Sequence, residues 1–378
     1  MSILLSSCAT SRDNNFNLIR FIAASLVLFS HSFALALGSG DAEPLRSTIG
    51  MTPGTIAVDV FFITSGFLIA SSYLSRKSLL AFVWARVLRI YPALIVAILF
   101  CVFVVGVLFT KNSTLEYLLH PQTHKYFLKN ITLFFGIEYR LPGVFLNVPF
   151  KGPVNGSLWT LPYEVKMYAI LAFIFSVAVY INKSVKLISV RNTIFFISVF
   201  SVGLHIFISF QAVHPVQFIR LFSMFFVGAA FFVWRDKISL SSKWGGIALT
   251  ILLVSAVNKE AFFIAYCLLL PFVIFYVAYV PSGKIRKFNR YGDYSYGIYI
   301  YAFPVQQSLA EIVPNVSVVT MIITSFLITF FLSVLSWHLI EKRFLKMKGT
   351  YFHLENFMRN HGVTKRCMTW LNRYDPPS

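Results

Sequence analysis

Arg20 and His31 stand eleven residues apart in an otherwise apolar run, NLIRFIAASLVLFSHSF. At 100° per residue, eleven steps come within about 20° of a whole number of turns, so on a helix both side chains share one face, about 16 Å apart along the axis. A histidine titrates near neutrality and can take a proton from a hydroxyl, while a guanidinium at the other end of that face can hold a phosphate. Taken singly, Arg20 equally suits an arginine that snorkels to lipid headgroups, and His31 a histidine satisfied in the interior.

Further ionisable groups recur inside apolar segments, where an unpaired charge is costly and defaults to function. Asp59, in TIAVDVFFITSGFLIASSY, lies at a depth similar to that of His31. It could orient an imidazole and stabilise its cation, or simply cap a helix start. Ser65 and Gly66 in the same segment suit close helix packing. Arg86 and Arg89, in WARVLRIYP, are three apart and share a helix face. Their planar forks could grip a polyanion or anchor a span end in lipid. Glu164, in NGSLWTLPYEVKMYAI, sits about two turns inside its segment, so it pairs with Lys166 or Arg220 or contributes to a site. Trp159 suits an aromatic belt. Asp293, Tyr296 and Tyr299, in YGDYSYGIYIYAFPVQQ, and Glu341, in SWHLIEKRF, suit lining or bracing. Sorted by depth, Arg20, Arg86 and Arg89 gather on the inner side and His31, Asp59 and Glu164 on the outer side. Nothing resembles a P-loop, a dinucleotide fingerprint, HExxH or a GxSxG elbow. Such a set points to general-base chemistry with no metal.

The elements that must position these groups follow from composition. Of 378 residues, 57% are hydrophobic and only 12% charged, against ~25% charged in soluble domains. Too few polar residues exist to cover a soluble surface, which excludes disorder and makes the chain an integral membrane protein. Helices need roughly 20 apolar residues to cross the hydrocarbon core. Ten candidate spans are read at about 15–37, 55–74, 88–109, 158–181, 192–210, 217–234, 244–257, 261–280, 293–312 and 317–338, the seventh being short. The expected fold is therefore all-α, with about ten transmembrane helices.

The net charge is +19. Lys and Arg concentrate in alternate connections: Arg76 and Lys77; Lys183, Lys186 and Arg191; Arg235, Lys237 and Lys243; Lys284, Arg286, Lys287 and Arg290; then Lys342, Arg343, Lys346, Lys348, Arg359, Lys365, Arg366 and Arg373. The intervening connections are nearly bare, except the long one over 111–157. The positive-inside rule then places both termini in the cytoplasm, with the basic excess facing anionic lipids rather than nucleic acid. The first segment lacks the features of a cleaved signal peptide. Cys8, Cys101, Cys267 and Cys367 are scattered and suggest neither a disulfide framework nor a CxxC site. A transmembrane domain over 1–344 and a basic cytoplasmic tail over 345–378 are expected. A transporter or flippase using the buried charges as a path remains the alternative, disfavoured because no pair of interrupted helices recurs across the two halves.

Six segments, in order, resemble the acyltransferase 3 family of membrane acyltransferases: NNFNLIRFIAASLVLFSHSF, VDVFFITSGFLI, RVLRIYP, NGSLWTLPYE, GDYSYGIYIYAFPVQQ and SWHLIEKRF, within about 12 to 344. The resemblance implies transfer of an acetyl group from cytoplasmic acetyl-CoA to a glycan hydroxyl on the far side, in a bacterial inner membrane. It also implies that His31 is the essential histidine, Arg20 its motif partner, and Arg86 with Arg89 the pair near the coenzyme. Asp59, Trp159, Glu164 and Glu341 fall on family motif positions. Many members carry a histidine where Ala302 stands here, so no second histidine role is expected at that point.

Overall fold

A computed structural model of the protein describes residues 2–75, 78–185, 189–211 and 216–352. Arg76, Lys77, Lys186, Cys367 and the tail's Arg359, Lys365, Arg366 and Arg373 lie outside the described residues. The chain is mostly helical. Its sheet among the described residues is a two-stranded antiparallel pairing of Ser2–Leu4 with Ser239–Ser241.

Each of the ten apolar segments forms a helix, here α1 (Phe16–Leu37), α2 (Pro53–Leu74), α3 (Leu79–Leu99), α4 (Leu161–Val185), α5 (Val190–Gln211), α6 (Gln217–Val233), α7 (Ser242–Ser255), α8 (Lys259–Tyr279), α9 (Ser295–Ile312) and α10 (Val318–Ser336). Among the described residues seven helices are long and apolar enough to cross a membrane: α1, α2, α3 with its continuation to Phe109, α4 with the turn before it, α5, α8, and α10 with its continuation to Thr350. The chain is a multi-pass membrane protein. Helices α6 and α7, at 17 and 14 residues, are apolar but short; at 1.5 Å per residue they reach about 25 and 21 Å, under the ~30 Å hydrocarbon thickness. Helix α9 is rich in Tyr and Gln, yet 14 of its 18 residues are buried, so its polar groups face protein.

Local sequence sets the helix ends. Thr52 caps α2 by accepting from the Thr55 backbone N–H at 3.0 Å, with Pro53 at the first helical position, where its missing N–H costs nothing. Ser78 caps α3, and Asn258 and Ser317 do the same for α8 and α10. Helix α3 therefore starts at Leu79, nine residues before the expected 88. Arg86 and Arg89 lie two to three turns inside it, not at its edge.

Helices α2 and α6 approach closely at two glycines. A Cβ on Gly66 would lie 1.9 Å from the Phe225 carbonyl oxygen, and one on Gly228 would lie 2.0 Å from that of Ile63. Only glycine fits either place, which bears out the small-residue packing read at Gly66. Helices α1, α2 and α9 pack together, with α1 and α9 running parallel: Asp293 and Ser295 come near Arg20, while Gln306 donates to the Leu28 carbonyl at 2.9 Å and to the Ser32 hydroxyl at 2.7 Å. Two helices widen into π turns, at Phe100–Gly106 beyond α3 and at Trp337–Glu341 beyond α10. The second lies beside the candidate site, where such turns often mark function.

Candidate active site

Arg20 and Arg89 are organised by carboxylates far away in sequence. Arg20 and Arg89 both donate to one oxygen of Asp293, Oδ2, each at 2.6 Å. The other oxygen, Oδ1, accepts from the Ser295 hydroxyl at 2.5 Å and the Ser295 backbone N–H at 3.3 Å, at the start of α9. Arg89 also faces Glu341 Oε2 at 3.5 Å, and Glu341 accepts from Ser336 at 3.1 Å. The π turn at Trp337–Glu341 is where the chain presents this acid, whose residue is 2% exposed. Tyr296 closes the cluster: its ring lies 5.7 Å from the Arg89 guanidinium and its hydroxyl donates to the Ile90 carbonyl at 2.9 Å.

Arg20, Arg89, Asp293, Ser295 and Tyr296 border a cavity of about 600 Å³. It is lined by Arg20, Arg86, Arg89, Glu164, Tyr296 and Tyr299, and at its basic end by Arg12 and Lys348. Along α2 its wall runs from Ile69 to Val58, eleven residues or about 16 Å. Five basic groups stand against two carboxylates, Glu164 and Asp293, so the lining carries a surplus of positive charge suited to a polyanion. Glu164 accepts from the Tyr168 hydroxyl, which lies 3.1 Å from the Ser65 hydroxyl. The Arg86 guanidinium sits 5.9 Å from the rings of both Tyr168 and Phe82. Of the partners considered for Glu164, Lys166 is exposed and lies over the Tyr163 ring, while Arg220 is engaged elsewhere.

At the far end of the cavity Thr160 and Tyr299 share a hydrogen bond of 2.7 Å. One turn further along α9, Phe303 meets the His31 ring edge-on, with centroids 5.4 Å apart. The single 3₁₀ turn Gly156–Thr160 braces both contacts. Thr160 holds Tyr299, Asn155 just before the turn donates to the Ile300 carbonyl at 2.8 Å, and a Cβ on Gly156 would lie 2.5 Å from the Phe303 ring. The NGSLWT segment thus fixes the aromatic wall that separates the cavity from His31. His31 itself does not appear in the cavity lining. Its Nδ1 is buried and makes no hydrogen bond among the described residues.

Asp59 is fully buried, and both its oxygens are taken: Oδ1 by Arg220 Nε at 2.8 Å and Oδ2 by the Tyr266 hydroxyl at 2.8 Å. It is not the cap of its helix, which is Thr52. The structure thus places it in a buried brace of α2, α6 and α8 instead of beside the imidazole. Trp159 is half-buried against Tyr163, with ring centroids 5.9 Å apart.

Sequence reasoning paired Arg20 with Arg86 and Arg89 and set Asp293, Tyr296 and Glu341 among the bracing groups; the structure brings all six together. It missed Arg12, Tyr168 and Lys348, and it missed Glu43, whose carboxylate accepts from the Ser30 hydroxyl beside His31. Glu43 lies in a short polar loop with Asp41, and residue type alone does not separate the two acids.

The chain matches the acyltransferase-domain family, acyltransferase 3, over residues 13–340. It is 32% identical over 353 residues to an O-acetyl transferase of Shigella phage Sf6, covering 91% of this chain and 99% of that protein. It is also 32% identical over 179 residues to nodulation protein 10 of Rhizobium leguminosarum bv. viciae, covering 45% of this chain and 46% of that one. No solved structure matches it.

Proposed function

This chain belongs to the acyltransferase 3 family and is an acyltransferase, and we propose that it moves an acetyl group from acetyl-CoA to a hydroxyl of a cell-surface or lipid-linked glycan. The observation that carries this reading is one cavity with a cationic end built on Arg20, Arg86 and Arg89 and a far end one helical turn short of His31. The phosphates of the coenzyme take the arginine end, where guanidinium forks match phosphate oxygens. The thioester arm runs along the cavity toward Thr160 and Tyr299, and Glu164 with Tyr168 and Tyr296 lines its course. Glu341 supports Arg89, Asp59 holds the helices through Arg220, and Trp159 flanks the brace before α4.

The acceptor hydroxyl reaches the thioester from the side of His31. His31 takes its proton as the oxygen attacks the carbonyl carbon. The new C–O bond forms, the C–S bond breaks, and the proton passes to the departing thiolate, which leaves free coenzyme A and an O-acetyl ester. The similarity to a phage O-acetyl transferase supports an acetyl group as the cargo and an oxygen as its acceptor. The basic connections support ten spans, both termini on the cytoplasmic side, contact with anionic lipids, and a division into a transmembrane domain over 1–344 and a basic tail over 345–378; placement in a bacterial inner membrane rests on the family resemblance.

Mass spectrometry of surface polysaccharide from cells with and without the protein tests the reading. An acetyl-sized mass gain that depends on the chain and disappears with His31→Ala is the expected result. Identical glycan from both cells, with the protein present in the membrane, overturns it.

A further inference from the structure

The groups used so far leave one charge near His31 without a role. The loop after α1 holds two acids, treated very differently: the Asp41 side chain is 92% exposed and that of Glu43 only 12%. Glu43 is drawn back along the helix to bond with Ser30, the residue before His31. Ser30 lies eight residues before the helix end at Gly38, about 12 Å inside it. The five residues from Gly38 to Glu43 can span about 17 Å at most, so the loop has to run almost directly back along α1.

Several features hold it there. Arg46 donates to the Gly40 carbonyl at 2.8 Å and to Glu43 Oε1 at 3.3 Å, which leaves Oε2 for Ser30. Ser30 is itself confined, since a Cβ on Gly54 at the start of α2 would sit 3.0 Å from the Ser30 Cβ. Leu45, two residues after Glu43, has φ 65°, a left-handed backbone that a non-glycine residue adopts only at a cost of order 1–3 kcal/mol. The fold therefore keeps a strained turn that tucks one carboxylate against Ser30, the residue before the histidine. The other two carboxylates weighed for this role, Asp59 and Glu164, bond to Arg220 and Tyr266 and to Tyr168, whereas one of the two partners of Glu43 is Ser30, the neighbour of His31 in the chain. Glu43 is also the carboxylate whose field reaches His31.

We propose that Glu43 is the positioning residue for His31, orienting its imidazole and holding the positive charge that forms when His31 takes the acceptor proton. The inference rests on His31 being the base of the proposed transfer. A carboxylate paired with a catalytic imidazole fixes which nitrogen accepts the proton and stabilises the cation. Nδ1 of His31, buried and without a hydrogen bond among the described residues, is the nitrogen such a partner would engage.

The test uses membrane vesicles that hold the full chain and the cell's own glycan, with radiolabelled acetyl-CoA as donor. Glu43→Gln is expected to lower the rate at saturating donor by about 100-fold, the lower end of what positioned acid–base groups contribute, with the acetyl-CoA KM within about twofold. Glu43→Asp should recover part of that loss. Added formate should raise the rate of Glu43→Ala, which a purely structural role for Glu43 does not predict. Asp41→Asn, in the same loop, should transfer at the wild-type rate. Should Glu43→Gln not accumulate in the membrane, Ser30→Ala removes only the hydroxyl that pins Glu43, and a roughly tenfold lower rate is expected. A wild-type rate in Glu43→Gln, or in Ser30→Ala where that variant carries the test, overturns the inference if His31→Ala is inactive. A wild-type rate in His31→Ala overturns the reading of His31 itself.

Discussion

The two ends of the candidate site are built on opposite principles. At the arginine end, Arg20 and Arg89 meet on a single oxygen of Asp293, Arg89 also meets Glu341, and each acid is held by a serine. At the histidine end, the imidazole faces a Phe ring and Nδ1 makes no hydrogen bond among the described residues. One end ties Arg20 and Arg89 into internal ion pairs yet keeps a surplus of positive charge for an incoming anion. The other sets its imidazole against an aromatic ring, with no ion pair to His31 among the described residues. Binding at the first draws on fixed cations held in place by internal acids, whereas chemistry at the second depends on the imidazole of His31.

This contrast separates the expected effects of substitution. The largest loss is expected for His31→Ala: transfer at saturating acetyl-CoA should fall about 10²- to 10⁴-fold, with the donor KM little changed, as read by label incorporation. A change confined to KM would erase the distinction between the ends. Asp293→Asn should act the other way. It leaves two guanidiniums facing a neutral amide, and breaking a buried pair costs on the order of 3 kcal/mol. A lower thermal midpoint of the purified protein and a donor KM raised about tenfold are expected; an unaltered midpoint and KM would show that the arginines need no internal partner. Gly156→Ala probes the wall between the ends, because its new methyl must displace the Phe303 ring toward or away from His31. About a tenfold drop in rate at constant donor KM is expected, and a rise in KM alone would place Gly156 with the donor end. The smallest effect belongs to Arg12→Gln at the exposed basic end of the cavity. The donor KM should rise about threefold at low salt and return to wild type at high salt, as screened surface charges do.

Much of this was legible in the sequence, because helices in lipid are written as long apolar runs. All ten runs became helices, and the eleven-residue spacing fell within one helix, with Arg20 meeting Asp293 and His31 meeting Phe303. The start of α3 was not legible for a physical reason. A hydropathy reading treats Arg86 and Arg89 as the edge of a span, but Asp293, more than 200 residues away, neutralises Arg89 and lets the helix run on. The role of Asp59 was ambiguous for the same kind of reason, since only the fold decides whether its partner is Arg220 or His31. Glu43 was invisible: nothing in GSGDAEPLR says which acid folds inward, and that depends on Arg46, on Gly54 and on an unusual backbone angle at Leu45.

The shared oxygen of Asp293 also bears on how related sequences can differ. Positions 20, 89 and 293 sit on three separate helices or their ends, yet they form one electrostatic unit. Loss of the acid at 293 should be tolerated only in chains that have also lost a charge at 20 or 89, or have gained a carboxylate nearby. Within an alignment of relatives, these three positions should therefore change together or not at all.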